Sequence, residues 1–153
     1  MRINGTSHRT IWPNPENLSE ICIIDQRVLP HKISIVKLVE KEQAISAIKD
    51  MYVRGAGLIG ATAGFGMYLA AISAPDNEAD FNAYMATYAV NLNNSRPTAR
   101  NLKWAIDRMM RTMSTTVNIV EKRKIAFSTA CEIADEDAEF CRRIGQHGLH
   151  IIK

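Results

Sequence analysis

From Gly55 to Pro75 the chain carries no Asp, Glu, Lys or Arg. Nothing else in the sequence limits the fold as tightly. A stretch this long without charge belongs in a bilayer or at the centre of a protein. Its composition favours the second. It is rich in Ala and Gly, and Pro75 and Asp76 close it abruptly. The expected element is a central helix from about Gly57 to Ser73, apolar on all sides, and no membrane association is expected. Gly60 and Gly64 lie four apart, one turn beyond Ala56. Such a strip lets another helix approach closely, which offsets the roughly 1 kcal/mol that each Gly costs a helix against Ala.

The flanking segments fit that core. "RTIW" (Arg9 to Trp12), "ICIID" (Ile21 to Asp25) and "LPHKISIVKL" predict two or three short strands, with a turn-rich "PNPENLSE" between the first two. In the third, Ile33, Ile35 and Lys37 alternate against Ser34 and Val36. From Glu40 the period becomes helical, with Ala44, Ile45, Ile48, Met51 and Tyr52 on one stripe. "PDNEAD" predicts a helix start capped by Asp76 or Asn77 with acids in its first turn. Phe81, Tyr84, Met85, Tyr88 and Leu92 form that helix's buried face. "NLNNSRPT" breaks it. Leu102, Ala105, Ile106, Met109 and Met113 mark the next helix. A long last helix is expected over 116–144, with Val120, Phe127, Ala130, Ala134, Ala138 and Cys141 inward and Gly145 and Gly148 ending it. The fold class expected is therefore mostly α: about five helices with a small N-terminal β element. Residues 1–39 would form the β element and 40–153 the helical domain, packed as one unit. Strand and helix do not alternate, so no Rossmann-type sheet is expected here.

Composition narrows the function. At 153 residues and 46% hydrophobic, the chain suits one domain with a real core. A net charge of +3 with scattered basic residues does not suggest a nucleic-acid partner. "EKRK" (Glu121 to Lys124) reads as a solvated helix face. Three cysteines, Cys22, Cys131 and Cys141, form no CxxC, fit a reducing compartment, and suggest core thiols at 131 and 141. With a polar "MRINGTSHRT" at the start, the expected location is the cytoplasm. His147 and His150 lack acidic or thiol neighbours at ligand spacing, so no metal and no cofactor is expected. Trp12 and Trp104 read as core or interface anchors. Asp25 is either a functional acid at a strand end or a turn anchor that binds backbone N–H groups.

One feature occurs twice. Arg54 precedes "GAG" and a helix; Arg96 precedes "PT" and a helix. Helix N-termini offer unpaired N–H groups and partial positive charge, and a guanidinium adds a planar fork suited to phosphate. Either both arginines are ordinary surface or capping residues, or the two mouths together cradle an anion. No acid–base pair, nucleophile triad or other catalytic constellation is evident.

The blocks "RTIW", "IIDQRVLPH", "IKDMYVRGAGLIG", "SRPTARNLKWAIDRM" and "IGQHGLHII", in this order, resemble the N-terminal part of methylthioribose-1-phosphate isomerases. That family is related to the α, β and δ subunits of eukaryotic initiation factor 2B. The resemblance implies aldose–ketose isomerisation of a sugar 1-phosphate in methionine salvage. It also implies substrate contacts by Arg54, Gly55, Ala56 and Arg96. Two departures stand out. The family usually has Pro where this chain has Gly57. Family members also carry a C-terminal Rossmann-like domain with the catalytic cysteine and aspartate, which this sequence lacks. No residue here matches those catalytic groups. The resemblance thus implies a substrate-binding domain, incomplete as a catalyst, whose partners are a phosphorylated sugar and either a second copy or a C-terminal domain. An exposed apolar patch near Arg54 and Arg96 is expected to drive such association. The alternative is a non-catalytic regulatory module that senses a phosphorylated metabolite or docks a protein, like the initiation-factor relatives.

Overall fold

A computed structural model describes residues 2–3 and 6–152. Five short strands, β1 (Arg2–Ile3), β2 (Thr6–Ser7), β3 (Ile11–Asn14), β4 (Asn17–Ile24) and β5 (Ile35–Leu38), precede five helices. The helices are α1 (Lys41–Lys49), α2 (Ala56–Ser73), α3 (Glu78–Asn94), α4 (Arg100–Met113) and α5 (Ile119–Leu149). The mostly α class with a small β element is as the periodicities predicted.

The strands β3, β4 and β5 form an antiparallel sheet in that order. Ile11 pairs with Ile23, and Ile21 and Ile23 pair with Leu38 and Val36. Strand side chains alternate between faces, so Ile11, Ile21, Ile23 and Leu38 point together into the core. In β5 the alternation is real, and Val36 and Leu38 face inward while Ile35 is 55% exposed. The turn between β3 and β4 is shorter than expected, only Pro15 and Glu16. Asn14 and Asn17 each accept a backbone N–H two residues on, and both amides donate to Glu20. The polar run "NLSE" is thereby drawn into β4. Lys37 pairs with Glu20 at 2.7 Å across the sheet, and with the two amides it lowers the Glu20 carboxyl to about 2.

Helix α2 is the axis of the molecule and contacts each of the other four helices. Residues Leu58 to Ala71 are all buried, so its length and apolarity serve the core. Its glycines set the spacing. A Cβ on Gly66 would meet Ala44 Cβ at 2.8 Å and the Tyr88 hydroxyl at 2.9 Å. Gly64 lies against Ala130 and Ile133 of α5, and Gly60 against Asn101 of α4. The small-residue strip thus has a packing function.

Several expectations were displaced. Helix α1 ends at Lys49, and Met51 turns to φ 59° and is 42% exposed, so the helical stripe stops short of Met51, while Tyr52 still packs against the core from the loop beyond. Helix α5 passes through Gly145 without a left-handed residue and ends at Leu149. Its buried residues are Lys122, Ala126, Thr129, Ala130 and Ile133, whereas Val120 is 60% exposed and Cys141 is exposed. The bundle covers only the first half of α5, so no buried stripe reaches Cys141. "EKRK" is not simply solvated. Lys122 is 3% exposed and donates to Asn82, while Arg123 donates to the carbonyls of Ala71 and Ala74 at the end of α2. Those carbonyls have no partner within the helix, and a cation there also meets the negative end of its dipole. Trp104 is 47% exposed and lies beside Arg108, so it is no core anchor.

Candidate functional site

The helix starts in this fold are of two kinds. Asn77 caps α3 and Asn118 caps α5, each accepting a backbone N–H of the first turn. Both helices have acids in that turn. Glu42 lies in the first turn of α1, where Gln43 accepts the N–H groups of Val39 and Glu40. Helices α2 and α4 have no side-chain cap and no acid in the first turn. Their leading N–H groups and positive dipole ends are left without a side-chain acceptor. These are the two helices preceded by Arg54 and Arg96.

The two starts open on one cavity of about 380 Å³, lined by Met51, Arg54, Gly55, Ala56, Ile59, Arg96, Thr98, Ala99, Arg100 and Asn101. All four residues singled out by the sequence, Arg54, Gly55, Ala56 and Arg96, are on its wall. The wall has no carboxylate. Among the described residues, no ion pair or side-chain hydrogen bond engages Arg54, Arg96 or Arg100. Gly55 turns the chain into α2 at φ 93°, ψ 141°, a conformation that side-chain-bearing residues avoid. The loop before α4 is wound by backbone bonds from Arg96 N–H to Asn93 and from Ala99 N–H to Arg96. Three arginines without an ion pair among the described residues line this cavity at two helix starts that have no side-chain cap or first-turn acid of their own, and so make a positive hollow that a multivalent anion would neutralise.

Arg100, Thr98 and Asn101 were not foreseen from the sequence. Arg100 lies four residues after Arg96 in "RPTAR", at the first position of α4. Its lack of a carboxylate partner emerges only in three dimensions.

The other candidates fall elsewhere. Asp25 follows β4, is 4% exposed, and accepts from the backbone and side chain of Arg27. It anchors a turn, the second of the two readings that the sequence offers. The Arg27 guanidinium, with a smaller contribution from Arg54, holds its carboxyl below the ordinary aspartate range. Among the described residues no group of three or more His, Cys, Asp and Glu is arranged to hold a metal.

A second hollow of about 280 Å³ adjoins the first along α2, bounded by Gly57, Gly60, Trp104, Ile133, Asp137 and Phe140 among others. A Cβ on Gly57 would lie 1.6 Å from Asp137 Oδ1, so the absence of a side chain at 57 admits this carboxylate to the start of α2. Burial pushes the Asp137 carboxyl above its ordinary range. Phe140 and Trp104, 57% and 47% exposed, leave an apolar rim beside the arginine cavity.

A family model described as the initiation factor 2 subunit family matches residues 52–153. The methylthioribose-1-phosphate isomerase of Desulfatibacillum aliphaticivorans is 42% identical over 153 residues, all of this chain and 41% of the relative. That of Cereibacter sphaeroides is 44% identical over the same span and 40% of its own length. Among solved structures, the 5-methylthioribose 1-phosphate isomerase of Pyrococcus horikoshii matches with a TM-score of 0.85 and 34% identity. The match covers 94% of this chain and 40% of that one. The translation initiation factor eIF-2B subunit delta of A. fulgidus matches at 0.84 and 29% identity, over 96% of this chain and 42% of its own. The chain thus spans about two fifths of the length of the relatives it matches. With the fold and the matched segment in agreement, the chain belongs to the initiation factor 2 subunit family.

Proposed function

We propose that this chain is the N-terminal, substrate-binding portion of a methylthioribose-1-phosphate isomerase. It holds the phosphate of a sugar 1-phosphate between the starts of α2 and α4. Arg54 and Arg96 supply charge and forked donors. The backbone at Gly55 and Ala56 supplies N–H groups at close approach, and Arg100 adds a third cation. Anchoring one end of the sugar leaves the carbon atoms that exchange hydrogen free for groups outside this chain. Isomerisation needs a positioned acid and base, and none of the cavity residues is suited to that work. The role proposed for this portion is therefore binding and orientation, with proton transfer supplied by a C-terminal domain, in the cytoplasm and within methionine salvage. The observation that carries the reading is the single acid-free cavity shared by Arg54, Gly55, Ala56 and Arg96. Calorimetric titration of methylthioribose 1-phosphate into the chain tests it. Binding should be weak, and Arg96→Ala should weaken it at least about tenfold, the loss of one charge-assisted phosphate contact. Equal binding by both would remove Arg96 from the site.

The likeness to an initiation-factor subunit supports a second reading, a module that senses a phosphorylated metabolite or docks a protein without turnover. The two diverge when the chain is mixed with a C-terminal domain from an isomerase relative. The first predicts turnover of the sugar phosphate; the second predicts none.

A further inference from the structure

The segment "IIDQR" is not on the cavity wall, yet it grips the loop that carries Arg54. Asp25, 4% exposed just past the end of β4, accepts from the Arg27 N–H at 3.0 Å, from Nε at 3.0 Å and from Nη2 at 2.8 Å. The guanidinium so fixed lies over the Tyr52 ring, its Cζ 3.3 Å from the centroid. The Gln26 N–H donates to the Tyr52 carbonyl at 2.9 Å. Tyr52 is therefore held on both its side chain and its backbone.

This loop has reason to need holding. Met51 adopts φ 59° without being glycine, and Gly55 adopts φ 93°. A non-glycine residue there costs energy and persists only where its surroundings impose it. Among the described residues Arg54 makes no hydrogen bond or ion pair to fix its direction, and feels only the longer-range charge of Asp25. A carboxylate this buried is an expensive way to tie down a surface arginine unless the arrangement serves a defined geometry.

We infer that Asp25, Arg27 and Tyr52 form a positioning brace, which locks the loop 51–55 so that Arg54 and the start of α2 are set toward the anion before it arrives. The inference rests on the anion-binding reading of the cavity. None of the three residues needs to touch the ligand. They act by removing loop conformations that would otherwise have to be frozen on binding.

The test uses the 153-residue chain with inorganic phosphate as probe and two readouts: phosphate affinity and amide hydrogen exchange. In Arg27→Met and Tyr52→Leu, exchange at residues 52–58 should rise at least about tenfold and the phosphate Kd should rise about tenfold, while exchange within α3 stays unchanged. Tyr52→Leu leaves the Asp25–Arg27 pair intact, so it reports on the brace even if Arg27→Met folds poorly. Arg27→Lys should behave like Arg27→Met, because an ammonium cannot reproduce the fork and the stack together. Tyr52→Phe, which keeps the ring, should stay near wild type. Unchanged exchange at 52–58 in the two disruptive variants would overturn the brace. So would full rescue by Arg27→Lys, or a rise in exchange spread evenly over the chain. Failure of the wild-type chain to bind phosphate would instead overturn the anion reading, and the exchange data would still decide whether the brace holds the loop.

Discussion

At Gly55 no atom lies within 4 Å of the point a Cβ would occupy, so space is not what demands glycine there. The demand comes from φ 93° and ψ 141° alone. Gly55→Ala should therefore lower stability by about 1–3 kcal/mol, the cost of forcing a side-chain-bearing residue into that region, measurable by urea denaturation. Gly57 is the opposite case, since its helical backbone suits any residue but Asp137 fills the space of its side chain. Gly57→Ala should destabilise the chain. In an Asp137→Ala background the same change should stabilise it by up to about 1 kcal/mol, the helix propensity it gains. A double-mutant cycle checks that reversal of sign. Asp25 titrates below the ordinary aspartate value of 3.8 because the Arg27 guanidinium favours its charged form. Its contribution is thus present above the unfolded pKa and is lost as pH falls through the depressed folded one. Carbon-detected NMR should place the Asp25 midpoint below 3.8, and Arg27→Met should move it up. At this scale the sequence was legible wherever a residue's neighbours in the chain fixed its place. Arg54 beside glycines and Arg96 beside proline stand ahead of helices, and Asn77 before acids caps one. Arg100 and Asp137 were not legible, because their significance lies in which partners they lack or displace across the fold.

Among the elements, the helix starts are unequal. Three of the five meet an acid in their own first turn, and α2 and α4 do not. An acid placed in the first turn of α4, as in Asn101→Asp, should compete with any anion at the mouth, and phosphate affinity should fall at least about tenfold with little change in stability. Element identity was readable from periodicity for α3 and α4, where one apolar face is buried, and for α2 from its uncharged length, since it is buried on all sides. It misled in α5. Two glycines suggested a stop, but 31 residues of otherwise good helix formers continue through them. Burial of α5 depends on how far its neighbours reach, which its own period cannot express. The strand β4 was clipped for a related reason. "NLSE" is polar in sequence, but the asparagine amides and Lys37 satisfy Glu20 within the sheet.

For the molecule as a whole, α2 is both the centre of the core and the floor of the cavity. Phe65, fully buried near its middle, should cost about 3–5 kcal/mol on truncation to Ala. The second half of α5 presents Phe140, Ile144 and Leu149, 57%, 70% and 71% exposed, beside the apolar rim at Trp104. Isolated chains are expected to associate through this surface. Light scattering should show a concentration-dependent mass that Phe140→Ser with Ile144→Ser reduces. An apolar patch near the two arginines could be anticipated, but its seat on a protruding helix could not. The proposed function requires that a phosphate settle between the starts of α2 and α4. Its most direct test is nitrogen-15 NMR of the labelled chain titrated with inorganic phosphate. The largest amide shifts should cluster at residues 55–58 and 98–101. Shifts centred instead at the acid-bearing starts of α1 and α3, or none at millimolar phosphate, would contradict it.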